Sequence, residues 1–262
     1  MNFQSIWAVV LRHTRLWMRD YNLIMVTLYW PLLDVLIWGF LGAWMQRMQG
    51  SQQNFEIVFL MGILLWQTVS RTAVWISASL VEEVQSYNVV NLFTLPLRLT
   101  EWMLGITLFS LILSLGTALY CIGLMKLFYT VSFMKLLSLF FLFALPLFIS
   151  GIWLGFMGLQ VLVNFGKRGY ELMYIFAWAA APFSSAFYPR EVLPEWAKTI
   201  SYCLPMSYVF EAMRSYLLRG INPWPSIFFG TAMALVYAAV AILLFVFLFN
   251  KSKQKGLARL SD

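Results

Sequence analysis

Two ionisable side chains lie where the chain is otherwise strongly apolar. Asp34 and Arg71 each stand near the middle of a long hydrophobic run. A charged side chain at the centre of a membrane helix costs about 2.5–3.5 kcal/mol on insertion scales. If the two runs are antiparallel helices, both side chains lie about 15–18 Å from the same membrane surface, at roughly 1.5 Å per residue. We therefore predict an intramembrane ion pair, which serves either as a link between two helices or in substrate binding.

A second group of candidate residues lies in segment 81–101, between two hydrophobic runs. The segment begins with two glutamates and continues into an apolar stretch with a Leu-Pro-Leu sequence. A short helix of this kind can lie at the membrane surface and dock into a groove on a soluble partner. Alternatively, it simply covers the helix bundle. The candidate docking residues are Glu82, Glu83, Leu92, Phe93, Leu95 and Pro96.

Segment 188–220 is too polar to cross a bilayer and too apolar to be a solvated loop. Its second half has apolar residues at the spacing of one helix face, namely Met206, Phe210, Met213 and Leu217. Its first half has a shorter face made of Trp196, Ile200 and Leu204. Pro205 separates two helices of about 20 Å, each shorter than the ~30 Å hydrocarbon core. The pattern predicts a re-entrant hairpin that enters the bilayer and returns to the same side.

Polar residues of this segment are expected on the opposite faces of its two helices. In the first helix these are Glu195 and Lys198, and in the second they are Glu211, Arg214 and Ser215. The complete set of candidate pathway residues in this hairpin is Pro189, Leu193, Pro194, Trp196, Pro205, Tyr208, Glu211 and Arg214.

The composition shows what kind of protein carries these segments. Hydrophobic residues make up 61% of the 262 residues and charged residues only 11%, against about 25% charged in soluble domains. We predict a single all-α membrane domain over residues 1–262. Its six transmembrane helices are expected at Leu23–Met45, Phe55–Leu80, Trp102–Leu124, Leu136–Val163, Tyr170–Phe187 and Pro225–Phe249.

Residues 1–20 are predicted to form an amphipathic helix on the membrane surface. Phe3, Trp7, Leu11, Thr14 and Met18 share one face. Arg12, Arg15 and Arg19 form a basic stripe on another. An ordinary lead-in to the first span is the alternative.

The basic residues predict the orientation. An even number of spans places both termini on one side, and the short segments of that side contain ten Lys and Arg residues: Arg12, Arg15, Arg19, Arg98, Lys167, Arg168, Lys251, Lys253, Lys255 and Arg259. The opposite short loops contain three, Arg47, Lys126 and Lys135. The ratio becomes ten to seven when the four basic residues of segment 188–220 are included. Because basic residues concentrate in cytoplasmic loops, we expect both termini in the cytoplasm.

Several classes of function are disfavoured by the residues. The net charge of +7 is spread over short flanks between apolar runs, which indicates contact with lipid headgroups and argues against nucleic acid. Cys121, Cys203 and His13 have no metal-ligand spacing, and no nucleophile has an evident base, so we expect neither a metal site nor catalytic residues. The sequence has no GxxxxGK[ST] phosphate loop, and we therefore expect no ATP hydrolysis by this route in the chain itself.

A small-residue pattern, Gly151, Gly155 and Gly158, lies in the fourth predicted span. Such spacing allows two helices to approach closely. The contact could lie within the subunit or between two copies.

Taken together, the segments resemble the type-2 ABC transporter permease family of bacteria over nearly the whole chain. The most specific similarity is carried by Tyr188-Pro189, Leu193-Pro194-Glu195-Trp196, Leu204-Pro205-Met206-Ser207-Tyr208 and Glu211-Ala212-Met213-Arg214, followed by Gly220. The acidic start of segment 81–101 and its Leu95-Pro96-Leu97 are similar to the coupling segment of that family.

The resemblance implies a permease without enzymatic activity of its own in the bacterial cytoplasmic membrane. Two copies, identical or paired with a related chain, would enclose a pathway, and two separate ABC ATPase subunits would bind ATP and Mg²⁺. The cargo would be an exported amphiphile, either a lipid-linked polysaccharide or a hydrophobic drug-like molecule. Segment 81–101 would transmit closure of the ATPase subunits to the helices, and segment 188–220 would form the exit.

Two other classes of function stay open from the residues. An ATP-independent channel or secondary transporter usually has several ionisable residues near the midplane, whereas only Asp34 and Arg71 are candidates here. An intramembrane enzyme is disfavoured because Glu82 and Glu83 lie outside the predicted spans.

Overall fold

The computed structural model describes residues 2–49, 55–129, 131–254 and 256, and these residues form helices and short connections. Lys255 and Arg259, which contribute to the predicted charge asymmetry, lie outside the described residues. The α-helices are α1 (Phe3–Arg19), α2 (Tyr21–Gln49), α3 (Phe55–Gln85), α4 (Val89–Thr94), α5 (Leu99–Phe128), α6 (Phe133–Phe165), α7 (Tyr170–Ala179), α8 (Glu195–Cys203), α9 (Pro205–Arg219) and α10 (Trp224–Gln254).

Within the described ranges, five segments are long and apolar enough to cross a membrane. They are Tyr21–Met48, Phe55–Gln85, Leu99–Phe128, Phe133–Ile175 and Trp224–Gln254. A helix of about 30 residues is roughly 45 Å long, which exceeds the ~30 Å hydrocarbon core. Five of the six predicted spans are therefore present as long helices, and each extends beyond its predicted limits.

Helix α3 lies at the centre of the bundle, between α2, α5 and α6. Its closest neighbour is α6, whose small residues face it. A side chain at Gly155 would collide with Ile76, and one at Gly151 would collide with Thr72. The hydroxyl of Ser77 donates to the Gly155 carbonyl at 3.0 Å. The small-residue pattern therefore packs helices within one chain, which decides between the two alternatives left open by the sequence.

The predicted fifth span, Tyr170–Phe187, is not one helix. Helix α7 ends at Ala179 after ten residues, and a 3₁₀ turn that includes Pro182 follows at Ala181–Phe183. A ten-residue helix is only about 15 Å long. The chain nevertheless continues along α3, because Tyr170 lies beside Val81 and the Ala186 carbonyl lies against Gly62. Those two positions on α3 are about 28 Å apart. The count of six spans stays a prediction.

The bundle has two distinct ends. At one end, α4 packs between the last turns of α3 and α10, where Phe93 and Phe249 lie 4.7 Å apart between ring centroids. Helix α1 lies at the same end, against α5, with Val9 in contact with Gly105. We call this the connector end, after residues 81–101, and the opposite end, which contains α8 and α9, the hairpin end. Both described chain termini lie at the connector end.

Helix α1 buries Val9, Val10 and His13 against the bundle. Its predicted apolar face is exposed, including Phe3, Trp7 and Met18. An exposed apolar face on a helix beside the spans is suited to a membrane surface. Contact with lipid stays a prediction.

Candidate functional site

The hairpin end contains two short helices, as the sequence predicts. Helix α8 has nine residues and α9 has fifteen, or about 14 and 22 Å. Pro205 is the first residue of α9, where its missing N–H costs no helix hydrogen bond. Gly220 ends α9 in the left-handed conformation, with φ of 66°, which glycine adopts without strain.

Helix α9 packs with the face that its sequence predicts. Met206, Phe210 and Met213 are fully buried. The Pro205 carbonyl lies against Gly230, and the rings of Tyr208 and Phe229 pack with their centroids 4.8 Å apart. Gly230 is about 9 Å along α10 from Trp224. The junction between α8 and α9 therefore lies beside the first two turns of α10, inward from the hairpin end of the bundle.

Helix α8 packs with a different face from the predicted one. Ala197 and Ser201 are buried, whereas Trp196 is 65% exposed and Ile200 is 39% exposed. Only Leu204, after the end of α8, is buried as expected. The small side chains allow α8 to lie close to its neighbours, and the large apolar ones point outward. An outward apolar face carries little cost where the surroundings are lipid.

Arg190 is the centre of a polar network that the sequence analysis did not identify. Its Nη2 donates to Ser207 at 2.7 Å and its Nε donates to Ser201 at 3.2 Å. The guanidinium carbon lies 4.3 and 4.7 Å from the ring centroids of Tyr202 and Tyr208. One side chain thus connects the start of the segment to both helices. The available signal was an arginine, two serines and two tyrosines close together in a short apolar stretch.

Glu211 and Arg214 extend this network to the preceding chain. Glu211 accepts hydrogen bonds from the Arg190 backbone N–H at 2.7 Å and from Arg214 at 2.9 Å. Arg214 also donates to the Ser185 carbonyl at 2.8 Å. The sequence predicts Arg214 on an outer polar face, but the side chain is buried because these partners lie inside. Burial lowers the pKa of the Arg214 guanidinium, and the Glu211 carboxylate opposes that change.

The prolines of this segment shape its turns. Pro189 precedes the 3₁₀ turn Arg190–Val192, and Pro194 precedes α8, with Leu193 half-buried between them. Both prolines are extended, with ψ near 150°, and each therefore sets the entry of the chain into the next turn or helix.

An apolar cavity of about 470 Å³ lies beside this hairpin. Helices α2 and α3 form one wall, and the chain around Pro189 together with α9 forms the other. Its aromatic lining consists of Trp38, Phe55, Phe59, Phe187 and Tyr188.

At the connector end, α4 has one buried and one exposed face. Leu92 is buried, and Phe93 packs against Trp102 with ring centroids 5.7 Å apart. Leu95 is 59% exposed, and Pro96 is exposed beside it. Of the four apolar docking residues that the sequence predicts, Leu92 and Phe93 therefore hold the connector on the bundle, and Leu95 and Pro96 are exposed.

Glu82 and Glu83 face α1, whereas the sequence predicts them on the docking surface. The Glu83 side chain is buried and accepts hydrogen bonds from Arg12 and from the Asn88 amide, both at 2.8 Å. Glu82 lies 3.4 Å from Nδ1 of His13. The two carboxylates thus face α1, which supplies the Arg12 cation to Glu83 and places the His13 imidazole beside Glu82.

A third glutamate fastens α1 to the other end of the connector. Glu101 accepts hydrogen bonds from the backbone N–H groups of Asn2 and Arg98, at 2.7 and 3.2 Å. Helix α1 therefore contacts the connector both where it leaves α3 and where it enters α5. These contacts join residues about 70–100 positions apart, and the local sequence contains no signal for them.

In the middle of the bundle, Asp34 and Arg71 come together through a third residue. The Gln67 amide donates to Asp34 at 2.6 Å, and its carbonyl accepts from Nε of Arg71 at 3.1 Å. Among the described residues, no direct contact of 4 Å or less joins the two charges. Gln67 is not among the residues predicted for this site, although it lies four residues before Arg71 and hence on the same helix face.

Arg71 also lies on the open side of α3. Most side chains are buried in the half of α3 that leads to the connector end. The partly exposed ones are Arg71, Val74, Ala78 and Glu82, which recur every three or four residues and so lie on one face of the helix. We call these four residues the α3 stripe. Near the connector end of this stripe, a cleft of about 820 Å³ lies between α1, α2, α3 and α7. Tyr21 and Leu23 line it on one side and Tyr170 and Tyr174 on the other.

The chain can be compared with known proteins at this point. No curated protein shows a significant match. Residues 36–246 match the profile of a family described as ABC-2 family transporter protein, which covers more than half of the chain and contains α3, the connector and the hairpin. Members of this family are membrane transport components, and membership implies association with ABC ATPase subunits. The chain therefore belongs to the ABC-2 transporter family, as a multi-pass permease.

Proposed function

We propose that this permease is the membrane subunit of an ATP-driven exporter and that its connector is the contact for two ATPase subunits. The observation that carries the proposal is that α4 packs on the bundle while the connector residues directly after it are exposed. Leu92 and Phe93 fix the helix to the bundle, whereas Leu95 and Pro96 are exposed. A contact that transmits motion must be fixed on one side and accessible on the other, and the connector combines both properties in α4 and the residues that follow it.

The contacts of the connector supply a route for such motion. The connector joins α3 to α5 directly, and Glu83 and Glu101 join it to α1. A displacement of α4 would therefore move three helices together. Helix α3 is the central helix of the bundle, and its movement would alter the contacts of α2 and α6 as well.

The connector end is the cytoplasmic end in this proposal. ATP and Mg²⁺ would bind to the partner subunits, and both chain termini would lie beside them. The concentration of basic residues in the short segments of this end supports the assignment. The membrane would be the bacterial cytoplasmic membrane. The sixth crossing would be made by α7 and the irregular chain up to Phe187, because this path follows α3 from Val81 to Gly62.

The cargo is proposed to be an amphiphile, either a lipid-linked polysaccharide or a hydrophobic drug-like molecule. A cleft of about 820 Å³ with both charged and apolar lining opens at the connector end, and an apolar cavity of about 470 Å³ lies at the hairpin end. A second permease copy, identical or related, would close the pathway along α2 and α7, whose outer faces expose Trp30, Phe40 and Trp178. The re-entrant hairpin would form the exit, which makes the direction outward.

Purification of the intact complex from native membranes tests this function. We expect an ATPase subunit to co-purify with the tagged permease and the complex to show vanadate-sensitive ATP hydrolysis. Absence of both would contradict the exporter. If the purified permease alone mediated solute flux in liposomes without ATP, the chain would instead be a channel or secondary transporter.

A further inference from the structure

We propose that Arg71 forms a mid-membrane site for the anionic group of an amphiphilic cargo, with Gln67 and Asp34 as its positioning residues. The inference rests on the proposed transport function and specifies the cargo of the same pathway. It begins from the placement of Arg71 at the middle of α3, the point of a spanning helix that is farthest from both membrane surfaces. A guanidinium at this depth requires compensation by protein, water or ligand.

The protein supplies only part of that compensation. Nε of Arg71 donates to Gln67, whereas Nη1 and Nη2 have no hydrogen-bond acceptor among the described residues. Arg190 and Arg214, by contrast, both use a terminal nitrogen in a hydrogen bond within the protein. The Nε atom of the Arg71 guanidinium is therefore engaged, and the edge formed by Nη1 and Nη2 is available. Two N–H groups on one edge of a guanidinium can bind a carboxylate or phosphate through two parallel hydrogen bonds.

Asp34 and Gln67 explain how the guanidinium is held in this orientation. The Gln67 amide nitrogen is engaged by Asp34, and its carbonyl oxygen therefore points to Arg71. Because Gln67 separates the two charges, Asp34 does not occupy the Nη1 and Nη2 edge of the guanidinium. The arrangement keeps the negative charge on the Gln67 side of Arg71 and leaves the two terminal nitrogens of Arg71 without an anionic partner among the described residues.

The surroundings of Arg71 indicate a path for an amphiphile. Arg71 is the inner end of the α3 stripe, and Ala78 and Glu82 of the same stripe line the cleft at the connector end. On the far side of Arg71, α3 passes Trp66, which contacts the half-exposed Trp178 of α7. An anionic head could enter past Arg12 and Arg19, which line the same cleft and offset the charge of Glu82, while an apolar tail stays against the lipid and the aromatic side chains.

Binding of labelled dodecyl phosphate to the purified permease in phosphatidylcholine nanodiscs tests this inference. Counts retained by protein-free nanodiscs are subtracted, and unlabelled dodecyl phosphate, dodecanol and inorganic phosphate serve as competitors. We expect dodecyl phosphate to compete at least about tenfold better than either dodecanol or inorganic phosphate, the factor that a charge-assisted hydrogen bond provides. Equal competition by dodecanol would exclude an anion site, and equal competition by inorganic phosphate would exclude an amphiphile site.

Variants assign the binding to Arg71. Arg71→Gln should weaken dodecyl phosphate binding about tenfold, and Arg71→Lys, which keeps the charge, should weaken it less. Arg47→Gln removes an exposed cation at the hairpin end and should leave binding unchanged. Val74→Glu keeps Arg71, Gln67 and Asp34 and adds a carboxylate one helical turn from Arg71. This carboxylate has the same charge as the anion, so the variant should also bind dodecyl phosphate more weakly.

These results can overturn the inference independently of folding or of the exporter function. If Arg71→Gln fails to elute as a folded species, Val74→Glu still decides the matter. Unchanged binding in folded Arg71→Gln, or in Val74→Glu, contradicts the site. The assay uses the permease without ATPase subunits. A negative result therefore leaves ATPase association untouched, and a positive one does not depend on it.

Discussion

The carboxylate of Glu83 accepts a 2.8 Å hydrogen bond from Arg12, which joins the first helix of the chain to the last turn of α3. Glu83 is buried, whereas the Arg12 side chain is 37% exposed. The two partners therefore differ in what their loss leaves behind. Removal of Arg12 leaves a carboxylate in the interior, but removal of Glu83 leaves a cation that can still reach water.

This asymmetry gives the first prediction. Arg12→Gln should destabilise the permease by about 1–3 kcal/mol, the usual penalty for an uncompensated buried group, and Glu83→Gln should cost less. Thermal unfolding in detergent, followed by tryptophan fluorescence, measures the difference. Arg15→Gln, an exposed position on the same helix, should shift stability by no more than about 0.5 kcal/mol. A larger loss in Glu83→Gln than in Arg12→Gln would contradict the asymmetry.

The second prediction concerns Arg190, the centre of the hairpin network. Arg190→Gln removes two charge-assisted hydrogen bonds and two cation–π contacts. It should therefore lower the free energy of local unfolding of the hairpin by about 2–4 kcal/mol. Hydrogen exchange of α8 and of the first turn of α9 should therefore accelerate. Lys198→Gln is the control, because its ion pair with the 88%-exposed Glu195 contributes little. Equal exchange in both variants would show that Arg190 does not hold the hairpin.

The third prediction tests the close approach of α6 and α3. Gly155→Val places a branched side chain against Ile76 and the Ala73 carbonyl and should destabilise the bundle by about 1–3 kcal/mol. Gly116→Val makes the same change in α5, where no atom lies within 4 Å, and should be tolerated. Thermal unfolding of the two variants measures the contrast. Similar unfolding temperatures would mean that the Gly155 contact does not limit packing.

The fourth prediction concerns the position of the hairpin in the bilayer. Cys203 is exposed at the junction of α8 and α9, whereas Glu195 begins α8. If the hairpin is re-entrant, a charged maleimide should label Glu195→Cys rapidly in intact cells, in a Cys203→Ser background. Native Cys203 should instead react mainly with an apolar maleimide, because lipid surrounds it. Cys121 is buried and should contribute little to either reaction.

Two outcomes would contradict this placement. Equal rates of reaction of the charged reagent at both positions would mean that the hairpin is a water-exposed domain. Labelling of Glu195→Cys only after permeabilisation would place the hairpin end in the cytoplasm and reverse the proposed orientation.

The sequence predicts the long helices well because a run of apolar residues is a local property. Hydropathy alone identifies α2, α3, α5, α6 and α10, and apolar spacing identifies the buried face of α9. The same reasoning misses the end of α7 at Ala179, because the residues up to Phe187 stay apolar after the helix stops. An apolar run indicates a preference for lipid, and it does not require a continuous helix.

The error at α8 has a related cause. In water, an apolar face such as Trp196 and Ile200 predicts burial against protein, but in lipid the same face can point outward. Gln67 and Arg190 were missed for another reason. Their roles depend on partners brought near by the fold, and neither residue stands out by hydropathy or motif.

The most direct test of the central claim compares two matched substitutions at opposite ends of the bundle. Leu95→Asp places a charge on the exposed face of the connector, and Val192→Asp makes a similar change at a 71%-exposed position of the hairpin end. The amount of ATPase subunit that co-purifies with each variant is measured at equal permease yield. The proposed coupling role predicts that Leu95→Asp loses about nine-tenths or more of the bound ATPase, as expected for loss of a central interface contact of ~1.4 kcal/mol or more, whereas Val192→Asp retains it. Full retention by Leu95→Asp, or equal loss from both variants, would contradict that role.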